Sequence, residues 1–180
     1  MLEKLDIIVL TECWLSEKSV HNLDGFYYFS GCSFSNQSSG VCVFVKDSIK
    51  CTCIDISKKN VFDGITINFI FGSQPIELHC FYRSPSFNKQ CFYDYLYDTF
   101  RTLNEKKTIE IITGDLNINT FDNNESLEDD MNSMGFFLCN REPTRENKLI
   151  DHFFIRNQEP SQFIYSSENL DTSITDHCAW

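Results

Sequence analysis

Positive charge is scarce in this 180-residue sequence: 15 Lys and Arg stand against 26 Asp and Glu, a formal net charge of −11. That balance argues against a protein that grips nucleic acid through bulk basic charge. No apolar run approaches the ~18 residues of a membrane span. The opening stretch, MLEKLDIIVL, reaches charged residues too early for a secretory signal. No CxxC pair occurs among the 9 cysteines, and Cys51 and Cys53 would point to opposite faces of a strand. A disulfide framework and a zinc site at paired cysteines are therefore not expected. Cys13, Cys42, Cys80 and Cys139 each lie in an apolar stretch and read as reduced thiols packed as small hydrophobes. The glycosylation sequons at Asn36 and Asn124 carry no weight without a secretory signal. Internal repeats, low-complexity tracts and linkers are also missing. These absences describe an intracellular chain, nuclear or cytoplasmic and not secreted, folded as one domain over residues 1–180.

What is present suits a folded core. Hydrophobic residues make up 42% and aromatics 14%, with 17 Phe, which is too much apolar side chain for an intrinsically disordered chain. Leu5–Leu10 (LDIIVL) predicts a strand buried on both faces that delivers Glu12 at its end. Gly25–Gly31, Gly40–Lys46, Cys51–Ile56, Val61–Phe71 and Ile76–Tyr82 predict further strands, the last two joined by a turn at residues 72–75. Phe92, Tyr95, Leu96, Thr99, Phe100 and Leu103 recur at helical spacing and predict a helix over 88–106. Thr108–Thr113 predicts a strand running into Gly114–Asn117. A short helix follows, capped by Asn123 or Asn124, with Leu127, Met131 and Met134 on one face and Gly135 after its end. Phe136–Asn140, Leu149–Arg156 and Gln162–Ser166 complete the strands. Many strands with interspersed helices predict an α/β sandwich of two sheets with covering helices.

Four acids end or interrupt apolar strands: Glu12, Asp115, Asp151 and Asp176. Buried carboxylates are costly unless paired or metal-bound, and no matching buried Arg or Lys is expected in the same strands. A shared hard cation is expected, and Mg²⁺ takes oxygen ligands while keeping room for water and phosphate. His152 follows Asp151 and His177 follows Asp176, but strand neighbours face opposite ways. A cross-pair of Asp151 with His177 would instead orient an imidazole for proton transfer or phosphate contact. His152 then packs on the other face, and His21 and His79 are structural.

LTECWL (Leu10–Leu15), CFYRSP (Cys80–Pro85), TGDLN (Thr113–Asn117), LIDH (Leu149–His152) and TDHCA (Thr175–Ala179) occur in this order. Together they resemble the endonuclease/exonuclease/phosphatase superfamily, most of all the apurinic-type endonuclease domain of non-LTR retrotransposons. The stretch Pro143–Arg145 is similar to the same branch, and the resemblance spans nearly the whole chain. It implies a four-layer sandwich of two mixed β-sheets flanked by helices. Magnesium or manganese is the implied cofactor, DNA the nicked substrate, and a reverse transcriptase a fused or cooperating partner. Glu12 matches the metal-ligating glutamate and Asp176 the second acid near the metal. Tyr82 matches the tyrosine that approaches the scissile phosphate, and Asp115 the aspartate that handles a proton. Asn117 matches the asparagine that positions phosphate or nucleophile, and Asp151 the acid paired with the catalytic histidine, here His177. Arg83, Thr144 and Arg145, lying in or beside these motifs, are the substrate-binding candidates.

Two departures from that pattern stand out. The family carries an asparagine on a strand before the one ending in Glu12, and the closing strand stops soon after His177. A domain truncated at both ends is therefore expected, with an exposed hydrophobic edge. Basic residues that could flank a duplex are few: Lys46, Lys50, Lys58, Lys59, Arg83, Lys89, Arg141, Arg145 and Lys148. The leading functional expectation is a Mg-dependent phosphodiesterase nicking DNA. Its alternative is a catalytically impaired remnant, acting as a binding module or not at all. A phosphatase for small phosphoesters or phosphoinositides ranks below both, because 180 residues leave no room for extra recognition segments.

Overall fold

The computed structural model describes residues 5–14, 21–32, 39–102, 107–157, 166–168 and 175–177. Within these ranges the strands are β1 (Ile7–Thr11), β2 (Phe26–Gly31), β3 (Val41–Lys46), β4 (Cys51–Asp55), β5 (Asp63–Phe71), β6 (Gln74–Tyr82), β7 (Ile109–Asp115), β8 (Phe137–Leu138) and β9 (Asp151–Arg156). Two helices accompany them, α1 (Lys89–Phe100) and α2 (Leu127–Ser133). The expected strand at Gln162–Ser166 lies outside the described residues except for Ser166, as do helix positions 103–106.

The strands form two sheets, as the α/β sandwich requires. One has three strands in the order β1-β3-β2, antiparallel throughout; the other has six in the order β4-β5-β6-β7-β9-β8. The larger sheet is mixed, because β6 and β7 run parallel while every other pair is antiparallel. The crossover between β6 and β7 is long enough to hold α1, as a parallel connection needs.

Period-two alternation sorts β6 between two cores. Leu78, Cys80 and Tyr82 face the small sheet and pack with Val41, Val43, Val45, Ile65 and Ile67. Phe81 faces the other way, with Ile112 and Phe154, and meets Phe92, Leu96 and Phe100 of α1 and Leu127 and Met131 of α2. Each fully buried aliphatic or Phe side chain contributes about 1.5–3 kcal/mol, so both cores hold the layers firmly. Both described helices cover the same face of the large sheet, and no helix among the described residues covers the outer face of the small one. No helix among the described residues is long and apolar enough to cross a membrane.

Local chemistry explains where elements depart from the sequence expectation. β1, expected to be buried on both faces, pairs only with β3 among the described residues, and Leu10 is 46% exposed. α1 begins with Asn88 capping Gln90 N–H at 2.8 Å and stops at Phe100, whose carbonyl accepts from Arg156 Nη1 at 2.7 Å. α2 starts later than expected because Asp122 folds its own turn, with Oδ1 accepting the Asn124 N–H at 3.0 Å. Residues 72–75 form a tighter hairpin than predicted: Phe71 pairs with Gln74, and Gly72 takes φ 62° in the two-residue loop. All 8 described cysteines are free thiols.

One glycine fixes how closely β7 approaches its neighbour. Gly114 has φ 125°, and a Cβ there would lie 2.0 Å from the Phe81 carbonyl oxygen. Gly114→Ala should therefore cost about 3 kcal/mol, combining left-handed strain with overpacking. Urea denaturation measures it, and a loss under about 0.5 kcal/mol would show that β6 and β7 tolerate a wider gap.

Candidate active site

The antiparallel register of β7 with β9 sets Asp115 directly opposite Asp151 at the strand ends. Arg83, just past β6, donates its N–H to the Asp115 carbonyl at 3.0 Å, which brings the end of β6 alongside. From the other sheet, β1 delivers Glu12, whose Oε1 accepts the Tyr82 hydroxyl at 2.6 Å. That bond bridges the two sheets, and Tyr82 is a buried interior residue rather than an edge aromatic. His177 closes the group, with Nδ1 2.8 Å from Asp151 Oδ2. The predicted Asp151–His177 cross-pair is thus formed, while His152 is buried on the opposite face, stacked on Phe154. The side chains open into a cleft of about 580 Å³ lined by Glu12, Trp14, His21, Asp115, Thr175 and His177. His21 carried no sequence signal, since nothing in its neighbourhood marks a strand end or a motif.

Loops with unusual backbones hold this geometry. Glu12 (φ 52°), Trp14 (φ 51°) and Asn117 (φ 50°) all adopt the left-handed region, which is rare outside glycine and clusters at functional sites. Asn117 folds back on Asp115, giving its backbone N–H to Oδ1 at 2.9 Å and its side-chain amide to Oδ2 at 3.1 Å. The same amide donates to the Arg83 carbonyl at 3.0 Å.

Of the three expected substrate-binding residues, Arg83 and Thr144 turn inward and Arg145 does not. Arg83 is 2% exposed, and its guanidinium donates to the carbonyls of Leu116, Ser84, Phe87 and Asn117. It is a clamp on the loop after Asp115, not a group open to a substrate. Thr144 is fully buried, and its Oγ1 accepts the N–H groups of Ile150 and Asp151 at 3.2 and 3.1 Å. It aligns the start of β9. Arg145 is partly exposed, but its Nη2 lies 2.6 Å from Asp176 Oδ2. Asp176 itself is 66% exposed and balanced by that guanidinium, so its carboxylate stands apart from the group formed by Asp115, Asp151 and His177.

The wider basic rim is similarly engaged. Lys46 pairs with Asp6, Lys89 with Glu125 and Arg141 with Glu128, while Lys58 sits 4.3 Å over the Tyr95 ring. Exposed pairs of this kind are worth under about 1 kcal/mol and can be exchanged for phosphates.

Electrostatics single out Asp115. Burial, with Asp151 and Glu12 nearby, pushes its pKa up to about 7, against the opposing pull of the Asn117 N–H. The hydrogen bond that His177 Nδ1 donates to Asp151 raises the pKa of His177. One ligand atom each from Asp115, Asp151 and His177 falls within 4.8 Å of the others. Facing carboxylates that resist ionising together are a donor set that a hard divalent cation satisfies, and Glu12 lines the same cleft. The residues present therefore fit such an ion.

The profile of the Endonuclease/Exonuclease/phosphatase family matches residues 1–177. The chain belongs to that family. Its fold is similar to that of the endonuclease domain of TRAS1, a telomere-specific non-LTR retrotransposon, with TM-score 0.72 and 16% identity over 98% of this chain and 84% of that one. It is similar also to D. rerio TDP2 complexed with single strand DNA product (TM-score 0.64, 13% identity, 98% and 84% covered). An endonuclease/exonuclease/phosphatase family protein from Leptotrichia buccalis gives TM-score 0.63 at 15% identity, covering 87% and 77%. The chain matches no curated protein sequence.

Membership of the endonuclease/exonuclease/phosphatase family agrees with a site that sacrifices stability for charge. Asp115 is a carboxyl whose folded pKa lies above its ordinary value, so the folded state holds the proton more tightly than the unfolded chain. Its contribution is fully present below about pH 4 and is lost as pH rises toward 7. Asp115→Asn should stabilise the metal-free protein by about 2 kcal/mol at pH 8, with little effect at pH 4. Thermal or urea denaturation across that range checks it, and a variant that is less stable at pH 8 would refute the reading.

Proposed function

We propose that this chain is a metal-dependent endonuclease that nicks one strand of duplex DNA, as in target-site cleavage by a non-LTR retrotransposon. Magnesium, with manganese as a substitute, is the proposed cation, and a reverse transcriptase the proposed functional partner. The observation that carries this reading is the grouping of Asp115, Asp151 and His177 in a cleft that also receives Glu12. The likeness to the TRAS1 endonuclease domain, and to TDP2 holding a DNA product, supports DNA as the substrate. Trp14, 66% exposed at the cleft edge, offers an indole face against which a base can stack.

Glu12 and the cleft carboxylates would hold the cation, which when bound neutralises charge on the phosphate and on the departing oxygen. The protein's own groups do the rest. Asp115, whose carboxyl burial and the neighbouring acids hold above the usual carboxylate range until the cation binds, accepts a proton from attacking water once ionised. The water oxygen bonds to phosphorus, the bond from phosphorus to O3′ breaks, and O3′ leaves as the sugar hydroxyl after taking a proton from solvent. His177 uses Nδ1 on Asp151, which leaves Nε2 to meet a phosphate oxygen. Tyr82 holds Glu12 in place through its hydroxyl, and Asn117 orients Asp115.

The purified chain should convert supercoiled plasmid to nicked circles in Mg²⁺ and lose that activity in EDTA. Asp115→Ala and His177→Ala should each slow nicking by at least about a hundredfold. A chain that is folded by circular dichroism yet never nicks in Mg²⁺ or Mn²⁺ would support the impaired remnant instead.

A further inference from the structure

The far end of β7 carries a second cluster that the nuclease reading does not use. Glu110 lies five residues before Asp115, about 16 Å along the strand. In the parallel pairing of β6 with β7, Glu110 sits directly beside Glu77. His79, two residues further along β6, shares their face. Each of the three offers one ligand atom within 4.8 Å of the other two. Ligand atoms around a tetrahedral zinc ion stand about 3.4 Å apart, so side-chain adjustments of about an ångström complete the site.

The histidine supplies the independent observation. His79 is 7% exposed, and its Nδ1 lies 2.9 Å from Thr66 Oγ1. Its Nε2 is buried and has no hydrogen-bond partner among the described residues. The nearest carboxylate oxygen, Glu77 Oε2, stands at 3.9 Å, too long for a hydrogen bond. A buried ring nitrogen without a partner calls for an explanation, and one nitrogen fixed by a hydroxyl while the other faces carboxylates is how metal-binding imidazoles are oriented. Glu110 is held rigid by Arg156, whose Nε and Nη2 donate to Oε2 and Oε1 at 2.7 and 2.8 Å. Each of those oxygens keeps a second lone pair. Glu77, 36% exposed, opens it to solvent.

We propose that Glu77, His79 and Glu110 form a second metal site, for zinc or a similar imidazole-binding divalent ion, distinct from the cation site of the cleft. The single imidazole selects a borderline ion such as Zn²⁺, where the cleft's acid-rich set suits Mg²⁺. Bound there, the ion ties β6 to β7 at the end opposite the catalytic acids.

Cobalt is the spectroscopic probe, tested on the full chain carrying Glu12→Gln and Asp115→Asn to disable the cleft. One equivalent of Co²⁺ should bind with visible d–d bands, and Zn²⁺ should displace it. Glu77→Gln, at a partly exposed position, and His79→Gln should each weaken binding at least about tenfold, and Thr66→Val by a comparable factor through loss of the ring's anchor. No saturable binding in that background, or binding unchanged by both Glu77→Gln and His79→Gln, would overturn the proposal. Should the background fail to fold, Glu77→Gln in the otherwise natural chain must lose one equivalent of Co²⁺, and retention of that equivalent would overturn it equally.

Discussion

Everything at the candidate active site depends on one pairing: β7 against β9, which places Asp115 and Asp151 face to face at buried strand ends. Two like charges so placed repel, and a fold selected for stability alone would avoid them. The surrounding structure over-determines the arrangement instead. Gly114 lets β7 approach β6 with no side chain between them, Arg83 ties the following loop, and Thr144 aligns the first residues of β9. His177 then stabilises Asp151, which leaves Asp115 as the carboxyl that resists ionisation.

The chain is acidic, and the two most deeply buried cations among the described residues work on the backbone. Arg83 gathers four carbonyls around the loop after β7, and Arg156 joins Glu110 to the carbonyls that end α1 and α2. A guanidinium suits this work because its five donors are fixed in a plane and its charge is permanent. If DNA is the substrate, as proposed, its affinity would not rest on these arginines but on a neutralised site and on surface pairs that exchange a carboxylate for a phosphate, which makes binding modest and sensitive to salt.

Much of this was legible in the sequence, because strand ends and motif acids are local signals. The β segments around Phe26–Gly31, Val41–Lys46 and Cys51–Asp55 follow from alternation and turn residues. The Asp151–His177 pair follows from the rule that strand neighbours face opposite ways. What the sequence could not reveal is which side of the protein a long side chain faces. Arg83 and Thr144 sit in or beside motif residues and read as substrate contacts, yet tertiary packing turns both inward. The half-buried state of β1 was hidden for a related reason, since an apolar run looks the same at an edge as inside a sheet. His79, which pattern left as an ordinary core histidine, gains its interest only from neighbours on another strand.

On the proposed reading, the cleft holds a carboxyl kept from ionising by burial and by its neighbours until a divalent cation arrives. Carbon-13 NMR of the Asp115 side-chain carboxyl, titrated with and without Mg²⁺, tests this most directly. Without the cation the midpoint should lie at about 7. With saturating Mg²⁺ it should fall below about 6, because a nearby positive charge favours the carboxylate. A midpoint near the ordinary value of about 4, unmoved by Mg²⁺, would rule that out.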